Sequence, residues 1–150
     1  MVAIFLILLL TIPTPAQAPA VAASSFKFAA SQIPAHQKAF AECVSLQESR
    51  GNYKAIGDNT NARGRWQFLD NEWRRGLSYM VADRLVTYGM SKTEAKDLTK
   101  DLQKHSIDTW KPVYQDVGFV AALNARGPWT GWKHWAVDRK CLKFIPTNER

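Results

Sequence analysis

Glu48 is the side chain whose type and placing most invite chemistry. If residues 40–53 begin as a helix, Phe40, Val44 and Glu48 fall at i, i+4 and i+8. The carboxylate then continues the stripe that should face the core. Burying a charge there is costly, and an apolar stripe, the negative end of a helix and the aromatic Tyr53 all favour the neutral acid. A carboxylic acid kept protonated near neutral pH is a proton donor. The alternative is a glutamate that turns into water at a frayed helix end.

Other catalytic chemistries find little support. His36, His105 and His134 are far apart and no His/Cys pair has zinc-like spacing, so no metal or other cofactor is expected. The chain contains neither a Gly-x-Ser-x-Gly turn nor a phosphate-cradling glycine loop. A carboxylate, a loop rich in Gly and Asn, and six tryptophans are groups that suit a polysaccharide. Indole and phenol rings such as those of Tyr53, Trp66 and Trp129 can cover the apolar faces of sugars, while amides read the polar edges. Core packing is the competing role for each tryptophan. Asp58, in the Gly/Asn loop, is a candidate second carboxylate. A separation from Glu48 of roughly 5–5.5 Å would suit a nucleophile and roughly 6.5–9.5 Å an inverting base, whereas an aspartate serving its own turn would need neither.

These residues require elements to hold them. A helix is expected from just after Pro34 to about Ser49, ended by Gly51 in the left-handed conformation. Residues 55–69 read as a compact loop or small irregular hairpin, after which Asp70 or Asn71 caps a short helix carrying Trp73, and Leu77, Met80, Val81 and Leu85 continue at helical spacing until Gly89 stops the run. Ser91 and Glu94 form a capping box opening a polar helix to about His105. Lys92, Lys96, Lys100 and Lys104 lie four apart on it, the pattern of a solvated face. A strongly apolar helix from Pro112 to about Gly127 should be the central core helix, followed by a Trp-rich loop. The fold class expected is mainly α with a small irregular β-hairpin or loop.

The first ten residues are apolar and too short to span a bilayer, and small residues follow. Residues 1–23 therefore read as a secretory signal, 24–34 as a linker and 35–150 as one domain, with an uncleaved membrane tether as the alternative. The net charge of +7 favours an anionic partner. Export narrows the choice to a membrane surface or an acidic wall polymer and opposes nucleic acid. Cys43 and Cys141, the two cysteines, should pair in an oxidising compartment and remain buried thiols in a reducing one.

The run Glu48-Ser49-Arg50-Gly51-Asn52-Tyr53, then Gly64-Arg65-Trp66-Gln67-Phe68, then Trp73, resembles the E-S-x-G-N … G-x-x-Q-F … W signature of the lysozyme-like soluble lytic transglycosylases and resuscitation-promoting factors. Ala122-Leu123-Asn124-Ala125-Arg126-Gly127-Pro128 is similar to that family's A-Y-N-A-G helix end. The resemblance implies a secreted or periplasmic monomer that cleaves the β-1,4 bond between N-acetylmuramic acid and N-acetylglucosamine in peptidoglycan strands. A phage virion or lysis protein is a further setting it allows. Glu48 matches the single catalytic acid, Gln67 a group hydrogen-bonding sugar beside the scissile bond, and Asn124 a cleft-lining residue. Leu123 departs from the pattern by standing where the family has a tyrosine bracing the glutamate. Either another hydroxyl such as that of Tyr114 replaces it, or Glu48 sits in a drier, less constrained pocket. Lytic transglycosylation, lysozyme-type hydrolysis and a wall-binding or virion-associated module without turnover are the outcomes this pattern allows.

Overall fold

A computed structural model describes residues 33–125, 131–135 and 140–145. The expected signal at 1–23, nearly all of the 24–34 linker, and Trp129 lie outside the described residues. The fold is mainly helical with a small two-stranded antiparallel sheet. In chain order come α1 (Ala35–Ser49), β1 (Ala62–Arg63), β2 (Phe68–Leu69), α2 (Asp70–Thr87), α3 (Lys92–Lys104) and α4 (Pro112–Asn124), with 3-10 turns at Ile107–Thr109, Gly131–Trp135 and Leu142–Phe144.

α1 begins directly after Pro34 and buries Phe40, Ala41 and Val44 on the stripe that ends at Glu48. Its termination differs from expectation. Arg50 takes the left-handed conformation first, at φ 54°, and Gly51 follows at φ 82°. The Arg50 N–H bonds Leu46 O and the Gly51 N–H bonds Ser45 O, so the last carbonyls of the helix are satisfied at the cost of a strained non-glycine residue.

The strands pair Ala62 with Leu69 and Arg63 with Phe68. Gly64, at φ 77°, turns the chain between them, and a Cβ there would collide with the Gln115 side-chain amide. The helix after the hairpin is one continuous element of 18 residues. Asp70 is its first helical residue and does not cap it. Its buried carboxylate instead accepts the Ile107 backbone N–H at 2.9 Å and lies 3.5 Å from Arg74. A buried donor in a connecting turn has few other partners, so the tertiary demand prevails over the local cap.

The Ser91–Glu94 capping box forms as expected, with Glu94 N–H to Ser91 Oγ at 3.2 Å and Ser91 N–H to Glu94 Oε2 at 3.0 Å. Hydrogen bonds from the Ser91 side chain and the Ser91 backbone N–H to the ionised carboxylate hold its pKa below the ordinary value. α3 buries Ala95, Thr99 and Leu102 and leaves the lysine row exposed. The Trp110 indole N–H closes its other end by donating to Leu102 O and His105 O.

α4 is the core helix, buried without a break from Gln115 to Val120. Gly118 permits close approach of α2, since a Cβ would press on Leu77 and Val81 at 3.2–3.3 Å. Trp66 and Phe119 stack at 3.9 Å in the middle of the core, and Trp135 packs on Phe119 at 4.7 Å. Cys43 on α1 is disulfide-bonded to Cys141, which fastens the C-terminal segment beside the helix that carries Glu48.

Candidate functional site

Glu48 sits half-buried in the last turn of α1, where its apolar stripe meets the helix end. What immobilises this end is a polar lattice spanning three elements. The Ser49 hydroxyl donates to Arg65 O at 2.7 Å, and Arg65 Nε returns a bond to Ser45 Oγ at 2.7 Å. Helix and hairpin turn are thereby tied side by side, with Glu48 between the two serine anchors in sequence.

Arg65 carries the lattice inward. Its Nη1 donates to the Tyr53 hydroxyl at 2.6 Å, that hydroxyl donates to Asp116 Oδ2 at 2.7 Å, and the Trp66 indole N–H donates to Asp116 Oδ1 at 3.1 Å. The guanidinium also lies 3.5 Å from the Asp116 carboxylate and 4.6 Å from the centre of the Trp66 ring. Gln115 completes the array, accepting the Arg65 backbone N–H and donating to the backbone carbonyls of Tyr53 and Trp110. The charge pair is therefore desolvated but satisfied. Burial raises the Asp116 pKa above its ordinary value, opposed by its bonds to Tyr53, Arg65 and Trp66. Burial, together with Asp116, pushes the Tyr53 phenol up to about 12.

Removing one member of such a lattice leaves its partners stranded. Asp116→Asn is expected to cost about 3 kcal/mol in urea denaturation, because it strands the Arg65 charge. The paired change Arg65→Met with Asp116→Leu should cost clearly less than the two single changes summed, which a double-mutant cycle measures.

The sequence-derived candidates distribute unevenly around this frame. Trp66 is 0% exposed, so it supports the site from within the core and offers no face to a sugar. This corrects its assignment as a substrate-binding ring. Its aromatic neighbours and the bond from the Trp135 indole N–H to Trp66 O at 3.0 Å account for the burial. The hydroxyl of Tyr53 is committed to Asp116 and Arg65, and its ring is half-buried. Gln67 lies in the hairpin turn at φ 48°, its amide donating to Gly64 O at 2.9 Å. Asp58 is exposed in a turn closed by the Thr60 N–H on Gly57 O.

Asn124 sits elsewhere. It accepts from Gln37 Nε2 at 2.8 Å and donates to Val120 O at 2.7 Å. Gln37 is eleven residues before Glu48, about 16 Å along the axis of α1. This amide joins α4 to the end of α1 opposite Glu48. Tyr114 is half-buried, and the carboxylate acting on its raised pKa is Asp101 of α3, secondary to burial. Leu123 is a partly buried hydrophobic packed against the core.

Sequence reasoning missed Arg65, Gln115 and Asp116 as a unit. A usable signal existed, since Asp116 is the one charged residue of the largely apolar α4 and such a residue must find a partner. His134 was also left without a place. It packs edge-on to Trp73 at 4.5 Å and against Phe68 at 5.4 Å. Burial pushes its pKa from 6.5 down to about 4. As pH falls below the ordinary value, the unfolded chain takes up this proton before the folded one does. The stability associated with neutral His134 is whole above pH 6.5 and is lost as pH falls through about 4. Thermal melts should show His134→Phe losing about 3 kcal/mol less than the unmodified protein across that interval.

Among the described residues no three His, Cys, Asp or Glu side chains gather as a metal ion would require. The fold and site define a mainly α domain with a small hairpin, stapled by one disulfide, in which a half-buried glutamate ends a helix locked to the hairpin turn. Comparison with protein-family models, with curated proteins and with solved structures returns no match.

Proposed function

We propose that this chain is a peptidoglycan-cleaving enzyme with Glu48 as its single catalytic acid. The observation that carries this reading is the half-buried carboxylate at the end of an apolar stripe, on a helix terminus bonded through Ser49 and Ser45 to the Gly64–Phe68 turn. Two blocks of the transglycosylase-like signature are thus neighbours in space as well as in order. The substrate is the β-1,4 bond between N-acetylmuramic acid and N-acetylglucosamine. Glu48 gives its proton to the leaving oxygen as the glycosidic bond breaks. Its carboxylate then takes a proton from the muramic acid 6-hydroxyl as that oxygen closes on the anomeric carbon, forming a 1,6-anhydro ring. Water in place of the 6-hydroxyl gives hydrolysis at the same bond.

The Cys43–Cys141 disulfide is compatible with an oxidising compartment and supports action outside the cytoplasm. A wall-binding module without turnover draws on Leu123 in place of the bracing tyrosine and on Asn124 being bonded to Gln37. Mass spectrometry of fragments released from purified sacculi separates these readings. Anhydro ends indicate transglycosylation, reducing ends indicate hydrolysis, and binding without release indicates the module.

A further inference from the structure

α2 and α3 leave a groove of about 420 Å³ between them. That is within the size range of small-ligand sites. Ala82 and Ala95, both buried, and the half-buried Val86 supply an apolar lining. Lys92, Lys96 and Lys100 line the α3 side, exposed and spaced one turn apart, so their attachment points follow at about 6 Å intervals. Tyr79, 56% exposed, also contributes to the lining and combines an apolar ring with a polar tip.

Asp83 lines the α2 side, and Lys100 lies 3.4 Å from Asp97 in an exposed pair of little strength. Three lysines against two aspartates leave the rim positive, on a chain whose net charge is +7. An apolar trough beside a row of ammonium groups matches one kind of occupant well: an anionic amphiphile, with its hydrocarbon in the trough and its phosphate on the lysines. Charge complementarity disfavours a neutral occupant, and the apolar lining is wasted on a purely ionic polymer.

We propose that the α2/α3 groove docks the protein on an anionic phospholipid surface, taking the head-group phosphate at Lys92, Lys96 and Lys100 and part of an acyl chain against Val86, Ala82 and Ala95. No residue of the Glu48 lattice lines the groove, so this proposal stands or falls apart from the reading of Glu48.

Vesicle co-sedimentation of the intact protein tests it. The protein should bind vesicles of equal parts phosphatidylglycerol and phosphatidylcholine and ignore phosphatidylcholine alone. Lys92→Gln with Lys96→Gln and Lys100→Gln should weaken binding on the order of 100-fold. Tyr79→Ser should weaken it several-fold, while Lys38→Gln with Lys54→Gln and Lys111→Gln, an equal loss of exposed charge away from the groove, should change it little. Unchanged melting temperatures establish that the variants are folded. Failure to bind the anionic vesicles overturns the proposal. So does an equal loss in the two triple variants, which indicates diffuse charge, or an inert Tyr79→Ser together with ready displacement by soluble poly(glycerol phosphate), which indicates a wall polymer.

Discussion

Glu48→Gln is expected to abolish release of soluble muropeptides from purified sacculi while leaving sacculus binding and the melting temperature unchanged. The amide has nearly the shape of the acid and keeps its hydrogen-bonding capacity, but it can neither donate the proton the leaving oxygen needs nor accept one afterwards. Loss of general acid–base action at one group lowers rates by roughly 10²–10⁴-fold. The loss here should reach the upper part of that span, because in the proposed mechanism the same residue serves both half-reactions. Release at the unmodified rate would sink the proposed enzyme, and loss of binding together with fold would indicate a structural role for Glu48. The end groups of fragments formed by the unmodified protein report which nucleophile, the 6-hydroxyl or water, reaches the anomeric carbon.

Replacing Cys43 and Cys141 together by serine should produce the largest change in stability. The bridge joins residues 98 positions apart. Opening a loop of that length restores chain entropy to the unfolded state equivalent to about 4–5 kcal/mol. For a domain of this size that corresponds to a fall in melting temperature on the order of 10–20 °C. Cys141 is 0% exposed and Ile145 is 5% exposed, so apolar contacts also hold the terminal turn near α1. Comparing oxidised and reduced protein in urea isolates the cross-link from those contacts. A difference below about 1 kcal/mol would mean that these contacts, and not the cross-link, hold the segment.

Much of the frame was legible from local pattern. The limits of α1 follow from Pro34 and from Gly51 just beyond Ser49, and the period of Phe40, Val44 and Glu48 places the carboxylate on the buried stripe. The capping box at Ser91 and Glu94 involves only neighbours, and the apolar run from Val113 to Leu123 announces a core helix whatever surrounds it. The pairing of Cys43 with Cys141 needed no more than a count of two thiols and the expectation of an oxidising compartment.

The candidate site was legible in part. Arg50, and not only Gly51, adopts the left-handed conformation because the helix-ending bonds to Ser45 and Leu46 outweigh the strain. Asp70 resembled a cap until a backbone donor 37 positions away required its carboxylate. Trp66 carries the chemistry of a sugar platform and the burial of a core ring, and residue type alone does not distinguish the two. Asn124 matches a motif in sequence, yet its amide is bonded to Gln37 at the far end of α1.

Sequence by itself determined that this protein is mainly helical, that Glu48 ends an apolar stripe, and that a glycine-rich turn bearing Arg65 and Gln67 follows it, because these features rest on contacts within a few residues. Only the tertiary structure decided what holds that glutamate's helix in place. Tyr53 and Asp116 are 63 positions apart and Arg65 and Gln115 are 50 apart, and no periodicity reaches across such intervals. Their bonds arise because a buried charge must be satisfied by whichever partner the packing of α4 against the hairpin delivers.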